Sequence, residues 1–390
     1  MWIFLQIIFW FSGFAIAYSY FFYPLLLTIS AKGKIFYPPD FQAENAPTLA
    51  VLMAAYNEES VIAQKIHAIF HTQYPLAKLE VWVGNDASND KTAEIITELQ
   101  RLYPQLYLVN FGGRTGKPQI INQLVEKTQA EILVLTDANI IFEPETLPFL
   151  IRHFQTPNMG FVAANIKSRN LQASGISTQE DAYVQREIRI KHQQMLISQL
   201  LIAPFGACYA LPKALYTPVP AQFNVDDFYI SMHILAKGYH AVQELAACGW
   251  EDISNQIAEE FRRKVRISKG NFQNLATFRT WAFRPFHRLG FHFISHKVLR
   301  WATPFLMLNI LLYNALLCYY SSFYQVIFAL QICVYLLPFL DSLLKRVNIH
   351  SLFLRFVTYF INMNIALLQG FGLYLKGVNT NIWEPTKRNQ

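Results

Sequence analysis

Apolar positions follow two different regimes along this chain. Met1 to Ala31 carries no charged residue, and the run from Trp2 to about Leu27 is long enough to cross roughly 30 Å of hydrocarbon. Trp301 to Leu340 is equally free of charge. Tyr319-Tyr320-Ser321-Ser322 splits that stretch into two spans, predicting a hairpin with its polar tip outside. Phe356 to Leu375 adds a further apolar stretch, preceded by Lys345-Arg346 and Arg355. Between these zones, from Ala31 to Lys297, short apolar runs alternate with amphipathic ones. The pattern predicts strands at Leu49–Tyr56, Leu79–Gly84, Leu106–Phe111 and Ile132–Thr136. It predicts helices at Ser60–Thr72, Lys91–Leu102, Lys117–Gln129 and Glu145–Phe154. Near-continuous apolar strands alternating with helices imply an α/β fold whose sheet is mostly parallel and covered on both faces. Such sheets bind ligands beyond the carboxyl ends of their strands, so the residues closing each strand are the first candidates for chemistry.

Composition sharpens the membrane reading. Hydrophobic residues make up 53% of the 390 and charged ones only 15%, against roughly 25% in soluble proteins. Disorder and a collagen-like or disulfide-built fold are excluded. Lys32 and Lys34 follow the first span and place the next segment on the cytoplasmic side. No basic segment precedes that span and no small-residue cleavage motif follows it, which argues against a cleaved signal peptide. The basic residues Lys376, Lys387 and Arg388 favour an inside tail, whereas one span before the domain and three after it put the tail outside; both remain open. A net charge of +7 suits an anionic partner: a lipid surface, a nucleotide or a nucleic acid. The cysteines Cys208, Cys248, Cys318 and Cys333 have no metal-like spacing, so reduced thiols are expected.

The strand ends are chemically distinctive. The first closes in Tyr56-Asn57-Glu58-Glu59-Ser60 and the second in Asn85-Asp86-Ala87-Ser88-Asn89-Asp90. Either segment taken alone reads more readily as a helix cap. The third is followed by Gly112-Gly113-Arg114-Thr115-Gly116-Lys117, a glycine-rich turn that opens a helix and suits a phosphate. The fourth closes in Asp137-Ala138-Asn139, whose oxygens suit Mg2+ or Mn2+ on a diphosphate. Farther along come Phe205-Gly206-Ala207, a small-residue turn, and Asp226-Asp227, two acids that open a helix.

Taken in order, these segments resemble the membrane-bound family 2 glycosyltransferases, the group that contains cellulose, chitin, hyaluronan and poly-N-acetylglucosamine synthases. The resemblance implies a GT-A-type nucleotide-sugar-binding domain with transmembrane and interfacial helices. It implies that Asn57, Glu58 and Asp86 hold the nucleoside, with uridine the family's commonest, and that Lys117 approaches the diphosphate. Asp137 would then help hold a divalent cation, Mg2+ or Mn2+. Asn139 stands where the family has a second Asp, and leaves that site one negative charge short. Gly206 and Asp226 would lie on the acceptor side, and Asp227 would be the catalytic base that takes the proton of a sugar hydroxyl. The family's Gln-x-x-Arg-Trp motif is altered: Arg266 matches the arginine, but Arg263 and Ile267 replace Gln and Trp. The basic run Arg262 to Arg266 could hold the diphosphate, with Arg266 the choice, or lie on anionic lipid.

Residues 271 to 297 interleave aromatic and basic positions, as helices in a membrane interface do. The expected division is a first span over 1–30, a catalytic domain over 31–270, interface helices over 271–297, further spans over 298–375 and a tail over 376–390. The resemblance implies an integral inner or plasma membrane enzyme with a cytoplasmic catalytic domain. It would use a nucleotide-sugar donor and a saccharide or lipid-linked acceptor, contact membrane lipids and bind no nucleic acid. A polyprenyl-phosphate sugar transferase and a nucleotide-sensing transporter or receptor are the other readings. Trp383 and Arg388 resemble a carboxy-terminal motif of some relatives.

Overall fold

The computed structural model describes residues 2–171, 176–347, 349 and 351–377. Trp383, Arg388 and the rest of the tail beyond 377 lie outside them. In chain order, helices α1 (Trp2–Ala17) and α2 (Tyr23–Ala31) come first. There follow β1 (Leu49–Ala55), α3 (Ile62–Phe70), β2 (Leu79–Asn85), α4 (Thr92–Leu99), β3 (Leu106–Asn110), α5 (Lys117–Lys127) and β4 (Ile132–Thr136). The second half of the domain holds β5 (Ile141–Phe142), α6 (Thr146–Ile151), β6 (Met159–Arg169), α7 (Ser177–Ser198), β7 (Cys208–Pro212), α8 (Asp226–Ala236) and β8 (His240–Asp252). Helices α9 (Ile257–Thr277), α10 (Arg279–Ala282), α11 (Arg288–Phe293), α12 (Leu299–Leu317), α13 (Ser322–Arg346) and α14 (Leu352–Leu375) complete it. The chain divides into two compact units. One holds 31–170 and 184–253; the other holds α1, α2, the start of α7 and everything described from Ser254 onward. Residues 254–270, expected with the catalytic domain, thus fall in the helical unit.

The first unit is built on one eight-stranded sheet in the order β3-β2-β1-β4-β7-β6-β8-β5. β3, β2, β1 and β4 run parallel, so their carboxyl ends share one edge. All seven residues of β1 are buried because helices cover both faces. After β4 the sheet becomes mixed: β7 runs antiparallel to β4 with Thr136 opposite Cys208. That pairing carries Phe205-Gly206-Ala207 to the end of β4, where the Asp137 N–H donates to the Ala207 carbonyl at 3.0 Å. A glycine is required where α5 lies against β2, since a Cβ on Gly84 would meet Ile120 Cγ2 at 2.1 Å.

Among the described residues of the helical unit, three helices are long and apolar enough to cross a membrane: Trp2–Ala31, Ser322–Arg346 and Leu352–Leu375. Within the first, Pro24 lacks the N–H that an α-turn needs, and residues 18–22 form a wider π-turn. The expected hairpin is present as α12 and α13, with Ser321 capping α13 through its hydroxyl. α12 packs along α1 but is not among the helices apolar enough to span, having buried Arg300, Thr303 and Asn314. The basic run on α9 is largely neutralised within this unit. Arg262 pairs with Glu259, Arg263 with Glu180 and Glu260, and Lys264 with the same two acids. Buried Glu180 also accepts from the Tyr359 hydroxyl on α14. Arg263 and Lys264 thus tie α9 to the buried Glu180, whereas the Arg262 side chain stays mostly exposed.

Replacing Gly84 with Val should lower stability by about 1–3 kcal/mol through overpacking against α5. Thermal unfolding of the purified protein measures this, and an unchanged midpoint would remove α5 from the face of β2.

Candidate active site

Loops from β1 and β2 interlock at the shared edge. Asn57 adopts a left-handed backbone at φ 53°, a conformation asparagine tolerates better than most residues. Its N–H donates to the Ser88 hydroxyl at 3.0 Å, and its side-chain oxygen accepts from the Asn89 N–H at 3.0 Å. The Glu58 N–H donates to the Thr92 hydroxyl at 2.8 Å, and the Glu58 side chain is buried. Asn57 and Glu58 thus reach the site by fastening the first two loops to each other.

Asp86 is fully buried and organises the glycine-rich turn. Its carboxylate accepts from the N–H groups of Thr115 and Gly116 and from Arg114 Nε at 3.1 Å. The phosphate cradle expected of this turn is therefore filled by Asp86: its amides face a resident carboxylate, not an open site. Gly116, at φ 89°, lets the chain swing from that turn into α5, with Pro118 in the helix's first turn. The Arg114 guanidinium lies 3.3 Å above the Tyr56 ring. Tyr56 and Arg114 were overlooked as a pair, because nothing in sequence shows that a planar cation will lie flat on an aromatic ring from another loop.

At the centre, Lys117 Nζ donates to Asp137 Oδ1 at 2.6 Å and to the Gly206 carbonyl at 3.5 Å. Burial pushes the Lys117 ammonium down, but the carboxylates of Asp137, Asp226 and Asp227 outweigh it and hold the pKa above its usual range. Asp227 behaves oppositely. Burial, then the neighbouring Asp226 charge, push its carboxyl up to about 6, while Lys117, the Phe228 N–H and Lys191 pull the other way. Gly206 lies against this acid: a Cβ there would sit 3.0 Å from Asp227 Oδ2 and 3.1 Å from its carboxyl carbon. Three distant segments, 137, 206 and 226–227, thus meet around one ammonium. Arg266 lies on α9 in the helical unit.

Two residues hidden from the sequence reading support this centre. Lys65 on α3 is completely buried, donating to the Thr136 hydroxyl at 3.1 Å and to the Ile140 carbonyl at 2.5 Å. It therefore grips both ends of the Asp137-Ala138-Asn139 turn. Burial pushes its pKa down to about 7, against the opposing pull of Cys208 and Asp137. Tyr209 is the other: its buried hydroxyl makes no hydrogen bond among the described residues, and Asp226 and Asp227 add to burial in raising its pKa. Neither closes a strand, so neither stands out from the sequence as a candidate.

The donor set fits a divalent cation that is completed by its substrate. Asp137 offers a 38% exposed carboxylate at the strand end, and Asn139 offers a neutral oxygen two residues on. No group of three His, Cys, Asp or Glu among the described residues forms a closed metal cage. Mg2+ and Mn2+ are commonly held in this open manner, by one or two protein oxygens together with phosphates. The Asn139 amide nitrogen donates to Glu251 Oε1 at 3.2 Å.

This architecture defines a GT-A-type fold. A mannosyltransferase from Pyrobaculum calidifontis, solved with GDP-Man and Mn2+, shares it with a TM-score of 0.72 at 19% identity, over 95% of this chain and 99% of that one. Residues 50–215 match the family model described as glycosyl transferase family 2. The beta-monoglucosyldiacylglycerol synthase of Trichormus variabilis is 34% identical over 143 residues, 35% of this chain and 31% of that protein. The poly-beta-1,6-N-acetyl-D-glucosamine synthase of Staphylococcus aureus is 23% identical over 242 residues, 61% of this chain and 58% of that protein. The matched part of the chain thus spans less than two thirds of either curated relative.

Gly206→Ala should displace the Asp227 carboxylate by a few tenths of an ångström and cut the transfer rate about 10-fold, with nucleotide affinity unchanged. Steady-state kinetics beside calorimetric nucleotide binding would check this. Lys65→Ala should cost about 2–4 kcal/mol, by removing buried packing and leaving Thr136 and Ile140 oxygens unmatched. Chemical denaturation measures it, and a loss under 1 kcal/mol would contradict the bracing role.

Proposed function

We propose that this chain is an inverting glycosyltransferase. It moves a sugar from a nucleotide-sugar, UDP-linked by expectation, to a hydroxyl of a saccharide or lipid-linked saccharide at a membrane. The observation that carries the reading is the Lys117 ammonium set among Asp137, Asp226 and Asp227, with Gly206 packed closely against the Asp227 carboxylate. Relatives named as a glycolipid synthase and a polysaccharide synthase support lipid and saccharide acceptors.

Each residue then has a task. The Tyr56 ring and the Arg114 plane form a shelf for a flat base, and a base N–H on that shelf would take the Asp86 oxygen that now accepts from Arg114. Asn57 and Glu58 hold the shelf's other wall. Lys117 leaves Asp137 for the diphosphate, where its charge offsets that of the leaving group. A divalent cation held by Asp137 and Asn139 would supply further charge neutralisation there. Arg266 is assigned to the diphosphate by resemblance alone. Asp227 accepts the proton of the acceptor hydroxyl as that oxygen attacks the anomeric carbon, and direct displacement inverts the centre. Gly206 keeps the acceptor side clear, and Asp226 keeps the Asp227 carboxyl basic enough for the task. A pKa near 6 leaves Asp227 mostly ionised at neutral pH while raising its proton affinity above that of an ordinary Asp. The expected setting is an integral membrane enzyme with this domain in the cytoplasm.

The test uses purified protein with a panel of UDP- and GDP-sugars and Mn2+ or Mg2+. Asp227→Asn should reduce transfer by about 10²–10⁴-fold while nucleotide binding persists. In the parent enzyme kcat/KM should fall as pH drops through about 6, because Asp227 then takes up a proton, and that limb should vanish from the variant's residual rate. Near-normal turnover of the variant would remove Asp227 from the chemistry.

A further inference from the structure

The turn that carries Asp137 and Asn139 is clamped on two sides. Beneath it, Lys65 holds Thr136 and the Ile140 carbonyl. Beside it, β5 pairs antiparallel with the end of β8, Ile141 opposite Trp250 and Phe142 opposite Gly249. Gly249 allows that closeness, since a Cβ there would meet Ile140 Cγ2 at 2.7 Å. Trp250 is itself fixed, its Nε1 donating to Glu143 at 2.8 Å and its ring lying 5.1 Å under Lys167 Nζ. Backbone and neighbours are thus held around the Asn139 side chain, whose amide still has two possible orientations.

That freedom matters chemically. An aspartate presents oxygen whichever way it turns, whereas an asparagine presents oxygen one way and a positively polarised NH2 the other. Toward a cation, the second orientation is repulsive. Glu251, the residue after Trp250, places Oε1 3.2 Å from Asn139 Nδ2. A carboxylate only accepts, so the amide must turn its NH2 to Glu251 and its carbonyl oxygen to the opposite side. The same hydrogen bond draws negative charge toward that oxygen, as partners behind metal ligands do.

We propose that Glu251 is a positioning residue for the cation: it locks the Asn139 amide with its oxygen turned away from β8. In doing so it compensates for the carboxylate that this chain lacks at 139. The inference rests on the proposed reading of the Asp137-Asn139 turn as a cation site.

The experiment follows Mn2+ binding by electron paramagnetic resonance in the full-length protein with UDP, and separately with GDP. It compares the parent, Glu251→Ala, Asn139→Asp and the double variant. Glu251→Ala should weaken diphosphate-dependent Mn2+ binding about 10–100-fold, the range typical of lost partners behind a metal ligand. The Mn2+ concentration for half-maximal transfer should rise by a similar factor, while the rate at saturating Mn2+ stays within about 3-fold. In the Asn139→Asp background, loss of Glu251 should leave Mn2+ affinity equal or improved, because an aspartate needs no orientation and is relieved of a like charge. Equal Mn2+ affinity of parent and Glu251→Ala overturns the inference alone. So does an equal loss in both backgrounds, which would mark a merely structural role. Absence of diphosphate-dependent Mn2+ binding in the parent overturns the cation-site reading, and this inference with it.

Discussion

The ion pair between Lys117 and Asp137 is the contact on which the rest of the site is arranged. It joins the first turn of α5 to the end of β4, across a gap between two parallel strands' loops. Asp226 and Asp227 act on the same ammonium from the start of α8. Acids drawn this close would raise one another's pKa without a cation among them. Lys117 offsets part of that crowding, while burial and Asp226 hold the Asp227 carboxyl up near 6. Charges so balanced can be exchanged cheaply: a diphosphate that takes Lys117 brings its own negative charge in return.

Rigid neighbours keep these charges in place. Fully buried Asp86 ties the glycine-rich turn to β2 just ahead of Lys117. Lys65 ties the Asp137 turn to α3, and the antiparallel β4–β7 pairing ties it to Gly206. Each tie is a buried polar contact whose removal leaves an unmatched group, a larger penalty than a lost surface bond. The site therefore inherits its precision from the sheet beneath it.

Much of this was legible in sequence, for identifiable reasons. β1 to β4 and their helices follow from local apolar periodicity, and the strand Ile132–Thr136 matches its expected bounds. Asp86, Lys117 and Asp137 stood out because they close consecutive strands of one parallel sheet. The partners were not legible. Arg114 lies over Tyr56 and Glu251 meets Asn139 only because crossovers bring residues far apart in the chain together. The glycine-rich turn looked open, since a sequence does not show that a carboxylate from another strand fills it. The partners of the basic run on α9 were hidden in the same way: they include Glu180, far away on α7.

On the proposed function, the Lys117–Asp137 pair opens to admit a nucleoside diphosphate with its cation. A structure of the protein with UDP or GDP and Mn2+ tests it most directly. The expected result is Lys117 Nζ on phosphate oxygens, Mn2+ between Asp137 and the diphosphate, and Asp227 facing an open acceptor space. A diphosphate bound elsewhere, with Lys117 still paired to Asp137, would contradict it.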